Sequence, residues 1–288
     1  MKKLRNILMS FVTLLAIIIY AVFFLNNDKP ESVLPTGGDL VVTFINIGQG
    51  DSELIQQEDN AILIDSGEYS ERKNLIDKLD SLGVTSLDYV IATHPHADHM
   101  GSMNIVIDTY DVKHVMMPNA ISNTVSFEKM LESISKKGLR IERPVPGKSI
   151  TAGNIRLDIL APNAEKYQNG NNYSIVARLK WGDISFLFTG DAEALSEKEI
   201  LKNDYNVSAY VLKVGHHGSV SSTSNEFLDA VNPRMAVLSY RQGNTYGHPH
   251  KETLEKLKEK DISVYRTETM GSITMRTDGT EITVTTER

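Results

Sequence analysis

The run Thr93-His94-Pro95-His96-Ala97-Asp98-His99 constrains this chain more than any other stretch, because three imidazoles and a carboxylate fall within six consecutive residues. A pair of His two apart at a strand end can turn to one metal ion, and the Asp and His that follow can reach a second. Neutral imidazole and carboxylate suit zinc or a similar divalent ion. Ordinary polar loop residues are the plainer reading, but four clustered ligand types at a strand-to-helix junction seldom serve solubility alone.

The chain has 288 residues, 41% of them hydrophobic, enough for a sizeable core in one large domain. It contains no cysteine. Disulfides and thiolate ligands are therefore excluded, and any metal site must use His and carboxylates.

Lys2, Lys3 and Arg5 precede an apolar run from Ile7 to Leu25, broken only by Ser10 and Thr13. At about 1.5 Å per helical residue the run is long enough to cross a hydrocarbon layer of roughly 30 Å. It ends Val22-Phe23-Phe24-Leu25-Asn26-Asn27, with no small-x-small cleavage site. Residues 1–26 thus read as a cytoplasmic stub and transmembrane signal anchor, with the remainder outside the cytoplasm. A cleaved peptide and a secreted protein is the alternative. Residues 27–39, with Pro30, Pro35, Gly37 and Gly38, read as a linker. Residues 40–288 form the folded domain. The formal charge of −7 becomes −10 for the residues after Lys29, once Lys2, Lys3, Arg5, Asp28 and Lys29 are set aside. That balance argues against a broad basic surface for gripping duplex nucleic acid, although not against a nuclease holding one phosphate through metals.

Strand-like runs dominate the domain. They cover residues 40–47, 52–56, 61–65, 89–93, 112–117, 156–160, 174–180, 184–189, 209–214, 235–239, 263–266, 272–276 and 281–285. Helical spacing appears over residues 72–82, 99–110, 126–137, 192–202, 225–231 and 250–258. A β-meander followed by β-α-β, with the same texture repeated later, predicts an α/β chain of two sheets face to face with helices outside.

Further ligand candidates sit at strand ends. Asp65 follows Ile62-Leu63-Ile64, and Asp191 follows Phe186-Leu187-Phe188-Thr189-Gly190. Either could equally be turn chemistry beside glycine. His216 and His217 leave the run Tyr210-Val211-Leu212-Lys213-Val214-Gly215, and Gly247-His248-Pro249-His250 precedes a helix. Side chains converging from separate strand ends build sites at one rim.

These residues resemble the metallo-β-lactamase superfamily: His94-x-His96-x-Asp98-His99, with Ile64-Asp65-Ser66-Gly67 upstream, then Thr189-Gly190-Asp191 and Gly215-His216-His217-Gly218-Ser219. Ile47-Gly48-Gln49-Gly50-Asp51-Ser52 and Tyr246-Gly247-His248-Pro249-His250 make the chain similar to the extracellular hydrolase domain of ComEC competence proteins, over roughly residues 40–286. The resemblance implies a four-layer αββα sandwich, here preceded by one transmembrane helix, with two divalent ions, zinc or manganese, at one edge. It implies that His94 and His96 bind the first ion, Asp98 and His99 the second, and that Asp191 bridges them. One of His216 and His217 completes the second ion, with His216 preferred. Asp65 orients a ligand imidazole. Many superfamily members carry another His before the bridging Asp. Here only His114 lies in that interval, in a strand context that reads as surface or packing. Asn171, Asn172, Tyr173 and Ser174 stand at the expected place, and an amide or hydroxyl is a weaker ligand than imidazole, favouring a harder ion such as manganese.

Two such ions about 3.5 to 4 Å apart lower the pKa of a shared water and hold the hydroxide for in-line attack. Asp98 is a candidate proton acceptor. His248 is a candidate proton donor or phosphate hydrogen-bond donor, and Ser219, Ser221, Ser222 and Thr223 offer hydroxyls for phosphate oxygens. Tyr240, Arg241 and Tyr246 could line the same rim. The reading is a membrane-anchored phosphodiesterase or nuclease, in DNA uptake or processing, with any transport pore or envelope partner a separate polypeptide. The alternatives are a choline-phosphate or other esterase, a β-lactamase-like amidase, and a catalytically quiet binding module of the same fold.

Overall fold

In the computed structural model, which describes residues 38–288, the apolar alternation of each strand resolves into two buried faces. Val42 and Phe44 of β1 (Leu40–Phe44), Ile55 of β2 (Glu53–Gln57), and Ile62 and Ile64 of β3 (Asn60–Ile64) share one core. Leu54 and Leu63, one position out of phase, enter another with Leu75 and Leu79 of the Arg72–Ser81 helix. A strand points successive side chains to opposite faces, so burial on both faces turns alternation into nearly unbroken apolar runs.

The first sheet continues through β4 (Ser86–Ile91), β5 (Asp111–Met116) and β6 (Ile141–Glu142). The second holds β7 (Ser149–Ala152), β8 (Ile155–Ala161), β9 (Val176–Trp181), β10 (Ile184–Phe188), β11 (Val211–Lys213), β12 (Met235–Leu238) and β13 (Ser263–Arg266). The chain then returns to the first as β14 (Ile273–Thr277) and β15 (Ile282–Thr286). Strand order is β15-β14-β1-β2-β3-β4-β5-β6 and β13-β12-β11-β10-β9-β8-β7. The inner core joins the sheets through Phe44, Phe186 and Phe188, with the Phe44 and Phe188 rings 6.2 Å apart. The Met103–Thr109 and Val125–Lys136 helices cover the first sheet. The Ala194–Lys202, Asn225–Val231 and Lys251–Glu259 helices cover the second. The expected two-sheet α/β sandwich is the one observed.

Each sheet changes direction once on the way to the site. Strands β1 to β3 pair antiparallel and β3 to β6 parallel; β7 to β10 pair antiparallel and β10 to β13 parallel. Crevices at the carboxyl ends of parallel strands are where such sheets hold ligands, and the His-rich loops leave β4 and β11 there.

Two strands escaped the sequence reading. β6 is two residues long, and β7 is Ser149-Ile150-Thr151-Ala152, with exposed positions and no apolar run. The helix expected over residues 99–110 is two helices, Ala97–Met100 and Met103–Thr109. At Gly101 a Cβ would lie 2.3 Å from Ala97 O and 2.6 Å from Tyr69 N. The chain is pressed there against the loop after Asp65, and the Ser102 hydroxyl donates to Glu68 O at 2.7 Å. Among the described residues no helix is long and apolar enough to cross a membrane; the anchor expected over residues 7–25 lies outside them, as does nearly all of the linker.

Candidate metal centre

Asp65 leaves β3 with a left-handed backbone (φ 56°) and turns its carboxylate under the His-rich loop. Its Oδ1 accepts from Thr93 N at 2.8 Å, and its Oδ2 accepts from the Thr93 hydroxyl at 2.6 Å and His99 Nδ1 at 2.7 Å. That contact places a proton on His99 Nδ1 and turns Nε2 toward the centre. The His94 ring is fixed likewise, its Nδ1 lying 3.1 Å from Thr93 Oγ1 and 3.3 Å from Ser174 Oγ. Ser174 also accepts from Asp191 N at 3.1 Å, so it ties two candidate ligands together. His94 Nε2 and His96 Nδ1 are 3.0 Å apart. That matches neighbouring positions about 2.1 Å from one ion.

Asp191 stands between two groups. Its Oδ1 is 3.2 Å from His99 Nε2 and 3.6 Å from His217 Nε2; His217 Nε2 is in turn 3.4 Å from Asp98 Oδ2. Its Oδ2 is 3.7 Å from His94 Nε2 and 3.7 Å from His216 Nε2. The doublet is thus split, and the preference for His216 beside Asp98 and His99 is corrected: His217 reaches that group, while His216 faces the His94 side. The cause is local backbone geometry, since His216 (φ 50°, ψ 48°) and His217 (φ 53°, ψ 23°) are both left-handed. Consecutive residues there cost of order 1–3 kcal/mol each. Surrounding bonds hold the turn: His216 N donates to Gly190 O, His250 N donates to Gly218 O, and the buried Glu197 carboxylate accepts from Thr223 N and Ser224 N.

The electrostatics fit cations. Burial opposes charge on His99 and His217, yet the carboxylates of Asp191 and Asp65 hold His99 well above its ordinary pKa, and Asp191 and Asp51 push His217 up to about 10. Burial would raise Asp191, but His99, His217 and His94 hold it well below the carboxylate range; Asp98 is likewise lowered, chiefly by His217 and His99. Burial and the neighbouring His99 push His94 down. His99 Nε2, His217 Nε2 and Asp191 Oδ1 are all buried without a hydrogen-bond partner. Orphaned buried donors and acceptors are costly. Crowded at one point, they are satisfied by divalent cations, so the donor set fits the implied metals.

The remaining expected residues are placed as follows. His248 lines the cleft, 5.2 Å from the His216 ring between centroids, and burial with the nearby His216 and His217 lowers its pKa to about 4. A neutral ring suits hydrogen bonding to a phosphate better than proton donation. Asn172 Oδ1 accepts from Glu193 N and Ser196 N, capping the Ala194–Lys202 helix, and does not enter the cleft; Asn171 does, with its Oδ1 unpartnered. Ser219 is buried and bonds to Ser221 within its own loop. Tyr246 lines the cleft and stacks on His248, whereas Tyr240 is buried and Arg241 is drawn away to Glu71 at 3.0 Å. His114 is outside the site, stacked on Tyr89 and paired with Glu142. Two residues went unrecognised: Asp51 and Lys213, 2.6 Å apart and each 1% exposed. The signal was a lysine inside the apolar run Tyr210 to Val214.

A two-sheet sandwich with imidazoles and carboxylates from both sheets meeting at one edge defines a class, and the chain belongs to it: a model of the metallo-β-lactamase superfamily matches residues 45–242. Membership and donor set together support a metal-dependent hydrolase in general terms. The chain is 34% identical over 253 residues to ComE operon protein 3 of Bacillus subtilis (strain 168), covering 82% of this chain and 33% of that protein. It is 26% identical over 249 residues to Competence protein ComA of Neisseria gonorrhoeae, covering 85% of this chain and 33% of that protein. It spans about a third of these relatives' length. Among solved structures it resembles the metallo-β-lactamase fold protein YhfI of Bacillus subtilis, with a TM-score of 0.58 at 15% identity, over 83% of this chain and all of that one. It also resembles CmlA, a diiron β-hydroxylase from Streptomyces venezuelae, with a TM-score of 0.56 at 13% identity, over 84% of this chain and 55% of that one. At those identities the likeness shows the fold alone.

Proposed function

We propose that the chain is a membrane-anchored, extracytoplasmic phosphodiesterase or nuclease using two divalent ions, zinc or manganese. The observation that carries this reading is Asp191, whose two oxygens face two separate donor groups. His94, His96, Asp191 Oδ2 and His216 would hold the first ion; Asp98, His99, Asp191 Oδ1 and His217 the second. His216 then stands in for the histidine missing before Asp191. Bound there, the ions supply an activated water and neutralise charge developing on phosphoryl oxygens.

The chain's own residues do the rest. The cleft, about 380 Å³, is lined by Ser122, Thr124, Tyr246 and His248 besides the candidate ligands. His248 can donate a hydrogen bond to a substrate oxygen, and the exposed Tyr246 ring offers a flat apolar surface beside it. Similarity to competence proteins supports DNA as the diester. The apolar run over residues 7–25 supports the anchor.

The test is an assay of the full-length chain in detergent, with manganese or zinc, on bis-p-nitrophenyl phosphate, single-stranded and duplex DNA, p-nitrophenyl phosphorylcholine and nitrocefin. Metal-dependent diester cleavage that disappears in His96→Ala and Asp191→Ala is expected. Unchanged turnover in both variants, or hydrolysis of nitrocefin alone, would overturn the reading. Protease added to intact cells should digest the domain.

A further inference from the structure

We propose that Asp51 and Lys213, an ion pair buried between the two sheets behind the metal centre, are positioning residues that fix His217 for its ion. The inference rests on the metal-dependent reading of the site and concerns residues that hold no metal themselves.

Lys213 is the last residue of β11, and Asp51 lies just before β2 in the other sheet. The ammonium donates to Asp51 Oδ2 at 2.6 Å and to Val214 O at 3.2 Å. The other oxygen, Oδ1, has no hydrogen-bond partner and lies 3.4 Å from His217 Nδ1. That nitrogen also faces Ser239 O at 3.0 Å. Two acceptors at one ring nitrogen hold the proton there, so Nε2, on the side where Asp98 and Asp191 stand, is the nitrogen that would give up its proton to an ion. Asp51 is therefore behind the imidazole, and with Oδ2 taken by Lys213 it is poorly placed to be a ligand.

Asp51 is itself immovable. Its N–H donates to Asp98 O and its carbonyl accepts from Gly67 N. Gly50 has φ +122°, and a Cβ there would lie 2.1 Å from Asp98 O, so the loop rests directly on the ligand run. A fully buried lysine is uncommon. Here it neutralises Asp51, so the carboxylate can stand beside His217 without adding a net charge to a site already rich in acids.

The test measures metal binding by the full-length protein in detergent, with zinc or manganese in competition with a chelator. The wild type should bind two equivalents. Asp51→Leu combined with Lys213→Met exchanges the pair for apolar groups of similar shape, a change that buried ion pairs tolerate. It should keep the wild-type circular dichroism and the first equivalent, and bind the second about 10- to 100-fold more weakly. Asp51→Asn, which keeps an acceptor, should lose less. Wild-type affinity for both ions in the double variant would make the pair a plain staple between sheets and overturn the inference. A wild type that binds no ion would instead overturn the hydrolase reading. Nitrogen-15 NMR of zinc-loaded wild-type protein gives a measure independent of any variant: His217 should keep its proton on Nδ1 and show Nε2 shifted by the ion, and a zinc-loaded protein whose His217 carries its proton on Nε2 would refute the role.

Discussion

Asp191 divides its oxygens between a group that includes His216 and one that includes His217, so adjacent residues should have separable losses. His217→Ala should remove the ion shared with Asp98 and His99; His216→Ala should weaken the one beside His94. Metal content after dialysis checks this, and an identical loss in both variants would contradict it. The proton balance gives a second expectation. His217 is raised from 6.5 to about 10, so in metal-free protein its contribution to stability is complete below pH 6.5 and lost as pH rises through about 10. Melting of chelated protein should fall across that window. Metal binding must displace the same proton and the one on His99, so affinity should rise with pH over the same range. Calorimetry at pH 7 in buffers of different ionisation enthalpy should show proton release on metal loading.

At the scale of elements, the glycine before Asp51 is a second place to test the design. Gly50→Ala adds a Cβ against a backbone carbonyl at a φ that L-residues avoid, and should destabilise by about 1–3 kcal/mol or more while shifting Asp98. Denaturant midpoints and diester turnover should drop together. Phe188→Ala, in the inner core, should cost about 3–5 kcal/mol with the ligand loops intact. Most long elements were legible in the sequence because burial on both faces writes a strand as an apolar run. β6 and β7 were not, since short, half-exposed strands are set by their neighbours and leave no pattern. The candidate ligands clustered in one run stood out by their spacing, and the structure gathers them at one edge. Which of His216 and His217 served which side was not legible, because two consecutive left-handed residues have no signature in residue type. The role of Asn172 as a helix cap was hidden for a related reason: capping and ligation use the same side-chain oxygens.

For the whole molecule, the centre draws His94, His96, Asp98 and His99 from the first sheet and Asp191, His216 and His217 from the second. At about a thousandfold excess over Kd, a bound ion adds about 4 kcal/mol to stability. In a domain of this size that is a shift of about 10 °C in Tm. Scanning calorimetry with and without chelator should show it; an unchanged Tm would mean the residues hold nothing tightly. The negative formal charge of the chain also predicts that any binding of DNA away from the cleft is weak and lost at moderate salt.

Donors divided in this way between two layers make the bound ions a clasp. Prising the halves apart breaks coordination, and loss of the ions frees the halves to part. Unfolding rate and metal dissociation rate should therefore converge under conditions where neither is otherwise limited, and a protease that cuts only the opened form would serve as a clock for both.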